Sequence, residues 1–148
     1  MNLYYMTYTC PLCALDPSSH SFTKVLENKN NLYYYTCPSK AKLYFDKIGI
    51  LKHYDGILSE VPKNKNWIWI FDGTNYGLHH FLQIELAIDL AKLITSKFSD
   101  NLNKIIIINP TIYIRSIYNV VKPFLSEKIN SLIEINYGQK TIDDVIKI

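Results

Sequence analysis

The chain has 148 residues, of which 48% are apolar and 20% charged, and its formal net charge is +3. This composition excludes a disordered chain, and the small, dispersed charge gives no indication of nucleic-acid binding. No apolar run reaches the length of about 18 residues that a membrane span needs, and the N-terminus lacks the features of a signal peptide. We therefore predict one cytoplasmic domain over residues 1–148.

Two strands and two short helices are predicted in the first part of the chain. The strands are residues 3–9 and LYYYT (32–36), which is aromatic and bounded by polar residues. Ser39 suits the N-cap of a helix whose apolar face is formed by four residues at helical spacing. These are Ala41, Tyr44, Phe45 and Ile48. Gly49 is expected to interrupt this helix, and ILKHYDGIL (50–58) is expected to form a second one.

The middle of the chain predicts a βαβ unit. WIWIFD (67–72) and IIIIN (105–109) are continuous apolar runs, typical of strands covered on both faces. The alternation within the first run places Trp67 and Trp69 together in the core on one sheet face. FLQIELAIDLAKLITSKF (81–98) predicts one long helix with a single polar stripe. The stripe consists of Glu85, Asp89, Lys92 and Ser96. Such a unit has parallel strands and a right-handed crossover.

The last part of the chain predicts a helix, a strand and a second, short helix. The first helix follows Pro110 and continues to about residue 125, and the strand is SLIEI (131–135). Thr141 and Asp144 have the spacing of a capping box at the start of the final helix. Together with the preceding elements, this order predicts an α/β fold with a mixed, mainly parallel sheet covered by helices.

The segment 112–125 has little polar surface for a helix. Arg115, Asn119 and Lys122 form one narrow stripe, and the apolar arc that remains is much wider than the roughly 100° of an ordinary surface helix. Two interpretations are open. The helix is either wedged deep between neighbours, or it has apolar partners on two sides, with the sheet on one side and a hydrophobic ligand or a membrane surface on the other.

Two stretches carry a resemblance to a known family. IIIINPTIYIRSIYNVVKPFLSEKI (105–129) and WIWIFDGTNYGL (67–78), with a long helix between them, resemble the CRAL-TRIO (Sec14-like) lipid-binding domain. The resemblance is to a compact form of the family, because the atypical segment 1–31 differs from the helices that usually precede the lipid domain. It implies a CRAL-TRIO-like α/β fold whose sheet floors a hydrophobic cavity, with 110–125 as the mobile helix that gates it.

The resemblance also implies a function. It implies binding of a hydrophobic ligand, a lipid, with transfer or peripheral membrane association and without chemistry. The gate residues that would contact the lipid are Ile112, Ile114, Ile117, Tyr118, Val121 and Phe124. Arg115 and Lys122 would contact a lipid headgroup or the membrane surface. The alternative is a protein-interaction module that keeps the fold without a lipid cavity.

The cysteines allow a metal site. Cys10, Cys13, His20 and Cys37 are four residues of the types that bind zinc, and the first two have the spacing of a zinc knuckle. The second half-site of a zinc finger is missing, since His20 and Cys37 are far apart along the chain. The open alternative is three ordinary thiols, and no cofactor besides zinc and the lipid-like ligand is expected.

The sequence gives little support to an enzyme. A triad of Cys37, His53 and Asp55 can be written, but no nucleophile-elbow pattern supports it. DGTNYG (72–77) follows a strand, as phosphate loops do, and lacks the spacing of either nucleotide-binding motif. We therefore predict a protein that is not an enzyme and does not bind nucleic acid.

Overall fold

The computed structural model describes residues 10–146, whose strands form one five-stranded sheet. The strands, in chain order, are β1 (Thr23–Glu27), β2 (Asn31–Thr36), β3 (Asn66–Asp72), β4 (Leu102–Ile108) and β5 (Ile133–Asn136). The helices are α1 (Pro11–Leu15), α2 (Lys47–Leu58), α3 (Leu78–Phe81), α4 (Ile84–Lys97), α5 (Ile112–Val121), α6 (Glu127–Leu132) and α7 (Ile142–Val145). Short 3₁₀ turns cover Pro38–Lys40 and Lys122–Phe124.

The strand order confirms the predicted fold class. The strands lie side by side in the order β1-β2-β3-β4-β5. β1 pairs antiparallel with β2, whereas the other three pairings are parallel. The unit β3–α4–β4 is the predicted βαβ unit, because its two strands are neighbours and parallel. The sheet is therefore mixed and mainly parallel.

Alternating residues of the central strands build two apolar layers. Trp67 and Trp69 face the larger core, as predicted, together with Ile105 and Ile107 of the neighbouring strand. The residues between them point to the opposite face, because successive side chains of a strand alternate. They form a smaller cluster with α7 packed against it: Tyr33, Ile68, Ile70, Ile106 and Ile108. α2, α4 and α5 cover the face that carries Trp67 and Trp69, and the larger core lies between these helices and the sheet.

The helix predicted at 39–48 is wrong, whereas the helix predicted at 50–58 is present as part of α2, which begins three residues earlier at Lys47. Residues 42–45 form turns, and Asp46 caps α2 by accepting a hydrogen bond from the Gly49 N–H at 3.2 Å. Gly49 does not interrupt the helix, since it lies in the first turn beneath this carboxylate. A Cβ at this position would collide with the Asp46 carboxylate, so the capping side chain would have to shift.

Two further boundaries differ from the sequence-based prediction. The long helix expected at 81–98 begins at Ile84, and α3 precedes it, because Gln83 leaves helical geometry with ψ at 53°. The strand expected at 131–135 begins at Ile133, because α6 includes the preceding two residues. α6 starts where Ser126 accepts a hydrogen bond from the Ile129 N–H at 3.2 Å.

The strand predicted at 3–9 lies outside the described residues. β1 was not predicted, and most of its residues are exposed at the sheet edge. The final helix begins as expected, because the Thr141 N–H donates to Asp144 Oδ2 at 2.7 Å. Within residues 10–146, no helix has both the length and the apolar character needed to cross a membrane.

Candidate functional site

An apolar cavity of about 140 Å³ lies between the sheet and the helices that cover it. Its floor includes Trp69, Phe71, Ile105 and Ile107, from β3 and β4. α4 and α5 provide most of the opposite wall. Their lining residues are Leu86, Ala87, Leu90, Ala91, Ile94, Ile114, Ile117, Tyr118 and Val121. Among residues 10–146, none of those that line the cavity is an aspartate, glutamate, lysine or arginine.

The polar side chains around the cavity have hydrogen-bond partners within the protein. Thr36 Oγ1 accepts from Trp69 Nε1–H at 3.1 Å and lies 2.9 Å from the Tyr54 hydroxyl. The Tyr44 and Tyr76 hydroxyls lie 3.5 Å apart. Burial raises the pKa of Tyr44 and Tyr54 above its ordinary value, so both remain neutral. A cavity whose polar groups are already satisfied favours an apolar occupant over water.

The cavity is small for the ligand that the sequence suggests. Pockets for small molecules usually measure about 300–1,000 Å³, whereas an apolar cavity near 150 Å³ holds a molecule of the size of benzene. In this conformation, the cavity of about 140 Å³ therefore accommodates only part of an acyl chain. A longer ligand requires the wall formed by α4 and α5 to move.

The structure places four of the six predicted gate residues at the cavity. They are Ile114, Ile117, Tyr118 and Val121. Ile112 is 72% exposed at the start of α5, and Phe124 is exposed beneath the Lys92 ammonium group, so neither lines the cavity. Only two of the ten residues of α5 are buried, which does not agree with a helix wedged deep between neighbours.

The predicted headgroup contacts lie on the outer surface of α5. Arg115 and Lys122 are both exposed, as is Asn119 between them. The Arg115 guanidinium lies over the Tyr137 ring, 5.4 Å from its centroid. The polar stripe predicted from the sequence therefore faces solvent.

The Asp and Asn of the resembling motifs join the two central strands at the base of α5. Asn109 Nδ2–H donates to Asp72 Oδ1 at 3.0 Å and to the Lys140 carbonyl at 2.9 Å. The Thr74 hydroxyl also donates to Asp72, at 2.6 Å. Asn109 has a φ of 51°, a left-handed conformation that asparagine tolerates better than most residues. This network directs the chain from β4 into α5.

Gly73 allows the two motifs to approach each other. A Cβ at this position would lie 2.8 Å from the Asn109 carbonyl oxygen and 3.2 Å from the Pro110 Cα. The first contact is shorter than real Cβ atoms show, and backbone cannot move aside as a flexible side chain can. Packing therefore brings DG (72–73) at the end of β3 against NP (109–110) after β4. Sequence order alone does not reveal this contact.

We expect Asp72 to make stability depend on acid pH. Burial opposes its ionisation, but hydrogen bonds from Thr74, Tyr35 and Asn109 outweigh burial and lower the pKa below its ordinary value of 3.8. Because the folded-state pKa is depressed, this stabilisation is present above the ordinary pKa and is lost as pH falls through the folded pKa. Urea unfolding across this range should show a shallower acid decline for Asp72→Asn than for the wild type.

Asp100→Asn gives the control for this experiment, because Asp100 is exposed. Its acid limb should follow that of the wild type, and its free energy of unfolding at neutral pH should be unchanged within about 0.5 kcal/mol. An acid limb for Asp72→Asn that is as steep as the wild-type limb would show that this carboxylate is not a source of the pH dependence.

The predicted metal ligands separate into two places. Cys10, Cys13 and His20 come together, and the fourth member of their group is His53 of α2 rather than Cys37. Cys37 lies elsewhere, with its sulfur 3.3 Å from the Ser39 hydroxyl and 4.0 Å from the Thr74 carbonyl oxygen. Sequence reasoning missed His53 as a member of this group, because only the folded chain brings α2 against residues 10–20.

Comparison with known proteins gives one family and one fold. The family model described as the CRAL/TRIO domain matches residues 15–147, which includes half of the segment that the sequence set apart as atypical. The solved structure titled "Crystal structure of Sfh5" matches with a TM-score of 0.64 and 10% sequence identity. This match covers 89% of this chain and 52% of that one, so the chain spans about half of its length. No curated protein matches the chain.

Proposed function

Because the chain belongs to the CRAL/TRIO family, we propose that it binds the apolar part of a lipid between the sheet and α4–α5, without chemistry. The observation that carries this proposal is the uncharged cavity, whose position between β3, β4 and the two helices agrees with a ligand site floored by the sheet. The family generally binds hydrophobic small molecules, and the lining of this cavity suits such a ligand.

Ligand binding requires α5 to move outward, and the energetics allow it. Burying a methylene group contributes about 0.8 kcal/mol, so a chain of about ten methylenes provides roughly 8 kcal/mol. The movement would expose Ile114 and Ile117, which are 2% and 7% exposed in this conformation. The ligand would cover both side chains again, so they would be buried against the ligand instead of against the core. The helix therefore has an apolar partner in the closed and in the loaded state.

Exposed apolar side chains beside the start of α5 suit transient contact with a membrane surface. Leu78, Leu82 and Ile112 are 52%, 62% and 72% exposed. α3 and α5 are in contact there, since the rings of Phe81 and Tyr113 lie 6.2 Å apart between centroids. Together with Arg115 and Lys122 on the outer face of α5, they form a surface on which lipid could enter and leave.

A cavity-filling variant tests the site without removing a core side chain. Ala91 of α4 is 7% exposed and lines the cavity, so Ala91→Leu places three more carbon atoms in existing space. If the ligand loses contact for about two methylenes, the cost is roughly 1.6 kcal/mol, or about 15-fold in Kd. Titration with a soluble fluorescent fatty acid measures this change. Unfolding should show stability maintained or raised, because filling an existing cavity commonly stabilises a fold.

Ser96→Leu is the matched control, because Ser96 lies on the same helix and is exposed. We expect it to bind the probe like the wild type. If Ala91→Leu and Ser96→Leu both leave Kd unchanged, the cavity is not the site. If the wild type binds no probe, the small cavity volume favours the second candidate, a protein-interaction module that keeps the fold.

A further inference from the structure

Four side chains that suit a transition metal converge on α2, and we propose that Cys10, Cys13, His20 and His53 bind one zinc ion. One potential ligand atom from each residue lies within 4.8 Å of the other three. Cys10, His20 and His53 are buried, and Cys13 is partly exposed. The proposal is independent of lipid binding, since it stands on these four residues alone.

The distances agree with a tetrahedral site. Cys10 Sγ lies 3.3 Å and Cys13 Sγ 3.6 Å from His20 Nδ1, and Cys13 Sγ lies 3.7 Å from His53 Nδ1. Zinc binds sulfur at about 2.3 Å and nitrogen at about 2.0–2.1 Å. Ligand atoms at the corners of such a tetrahedron are separated by about 3.3–3.8 Å. These three separations lie within that range, so one ion fits at the centre after little adjustment.

The outer nitrogen of each imidazole has an acceptor that determines its tautomer. His20 Nε2 lies 3.0 Å from Asp46 Oδ2, and His53 Nε2 lies 2.7 Å from the Phe22 carbonyl oxygen. Neither a carboxylate nor a carbonyl oxygen can donate, so in both rings Nε2–H is the donor. The lone pair of each neutral imidazole is then on Nδ1, the atom that faces the cysteines. Outer hydrogen bonds of this kind orient histidines that bind metals.

The ligand types favour zinc among the common metals. Two thiolates and two imidazoles in tetrahedral geometry suit zinc, whereas magnesium and calcium prefer oxygen ligands. No water-sized open position is required, because the protein supplies all four ligands. Such closed sites are structural, and metal binding contributes directly to folding.

The site would attach the N-terminal segment to the body of the fold. Cys10 and Cys13 lie at α1, His20 follows in the next loop, and His53 is in the middle of α2. His20 also lines the apolar cavity. A zinc ion would therefore hold α1 against α2 and fix the position of His20. Packing alone does not hold α1 there, because none of its five residues is buried.

Hydrogen bonding alone is the alternative explanation of this cluster. Without a metal, the Cys10 thiol can donate to His20 Nδ1 and the Cys13 thiol to His53 Nδ1, which would use all the facing atoms. The two explanations differ in whether purified protein contains zinc and whether the thiols are ionised. Both properties can be measured on the wild-type chain.

Elemental analysis and cobalt substitution test the proposal directly. The purified full chain should contain one zinc ion per molecule, and removal by a chelator should lower Tm by roughly 10 °C. Protein reloaded with Co²⁺ should show the strong visible bands of tetrahedral cobalt and thiolate charge-transfer absorption corresponding to two sulfur ligands. Wild-type protein that takes up neither metal with these properties would overturn the proposal.

The third cysteine provides a matched control variant. Cys13→Ser and His53→Gln should each lose stoichiometric zinc, whereas Cys37→Ser should keep it, because Cys37 lies outside the cluster. His79→Gln is the corresponding control for histidine, since His79 is exposed. Equal zinc loss in Cys37→Ser and Cys13→Ser, or zinc retained in His53→Gln, would contradict this ligand set. The cobalt spectrum of the wild type decides the question if a variant does not fold.

Discussion

Replacing Ile117 of α5 by arginine is expected to abolish binding of an acyl probe and to lower the free energy of unfolding by about 3–5 kcal/mol. Ile117 is 7% exposed, belongs to the main core and lines the cavity. A guanidinium group at this position would meet only apolar and satisfied neighbours, so it would be desolvated without a partner. Urea unfolding and titration with a soluble fluorescent fatty acid measure the two effects.

Ile112→Arg provides the same substitution on the same helix at a side chain that is 72% exposed. Its stability should change by no more than about 0.5 kcal/mol, and it should bind the soluble probe like the wild type. Similar destabilisation by both variants would contradict the burial of Ile117, and normal probe binding by folded Ile117→Arg would place the ligand elsewhere. Ala91→Leu distinguishes loss of the cavity from loss of the fold.

Phe22→Ala is expected to lower the free energy of unfolding by about 3–5 kcal/mol, the range for deleting a buried aromatic ring. Phe22 is fully buried and stacks on Tyr54 of α2, with 3.9 Å between ring centroids. It also stacks on Tyr34 of β2, with 5.2 Å between centroids. The ring therefore joins the segment before β1 to both a helix and the sheet. Urea or thermal unfolding measures the loss.

Phe45→Ala is the control, because Phe45 is 69% exposed and lies in the turns before α2. Its effect on stability should stay within about 0.5 kcal/mol. If the two alanine variants unfold at the same urea concentration, the aromatic stack around Phe22 does not stabilise the fold as the structure indicates.

The buried strands could be predicted because both of their faces are apolar. WIWIFD and IIIIN need no knowledge of their neighbours to be recognised as central strands, and β3 and β4 lie within one to three residues of their predicted bounds. The same reasoning misses β1, because an exposed edge strand has no apolar face that could reveal it. Its pairing with β2 provides the antiparallel edge of an otherwise parallel sheet.

Long-range contacts explain most of the other errors. Apolar spacing at 41–48 indicated a helix, but Asp46 caps a helix that begins later and also accepts a hydrogen bond from His20, 26 positions earlier in the chain. His53, the fourth residue of the proposed zinc site, is 33 positions beyond His20 and is brought there by the packing of α2. Neither contact has a signal in local sequence. The volume of the cavity is likewise a property of packed side chains, which a hydrophobic pattern cannot determine.

The most direct test of lipid binding is native mass spectrometry of the wild-type chain purified without detergent or organic solvent. We expect a protein mass with a noncovalent hydrophobic adduct, which organic extraction removes and identifies by mass. Protein loaded in vitro with a long-chain fatty acid should show the same one-to-one complex. A wild-type mass without adduct from several expression hosts, together with no complex after incubation with the fatty acid, would contradict the proposal that the cavity binds lipid.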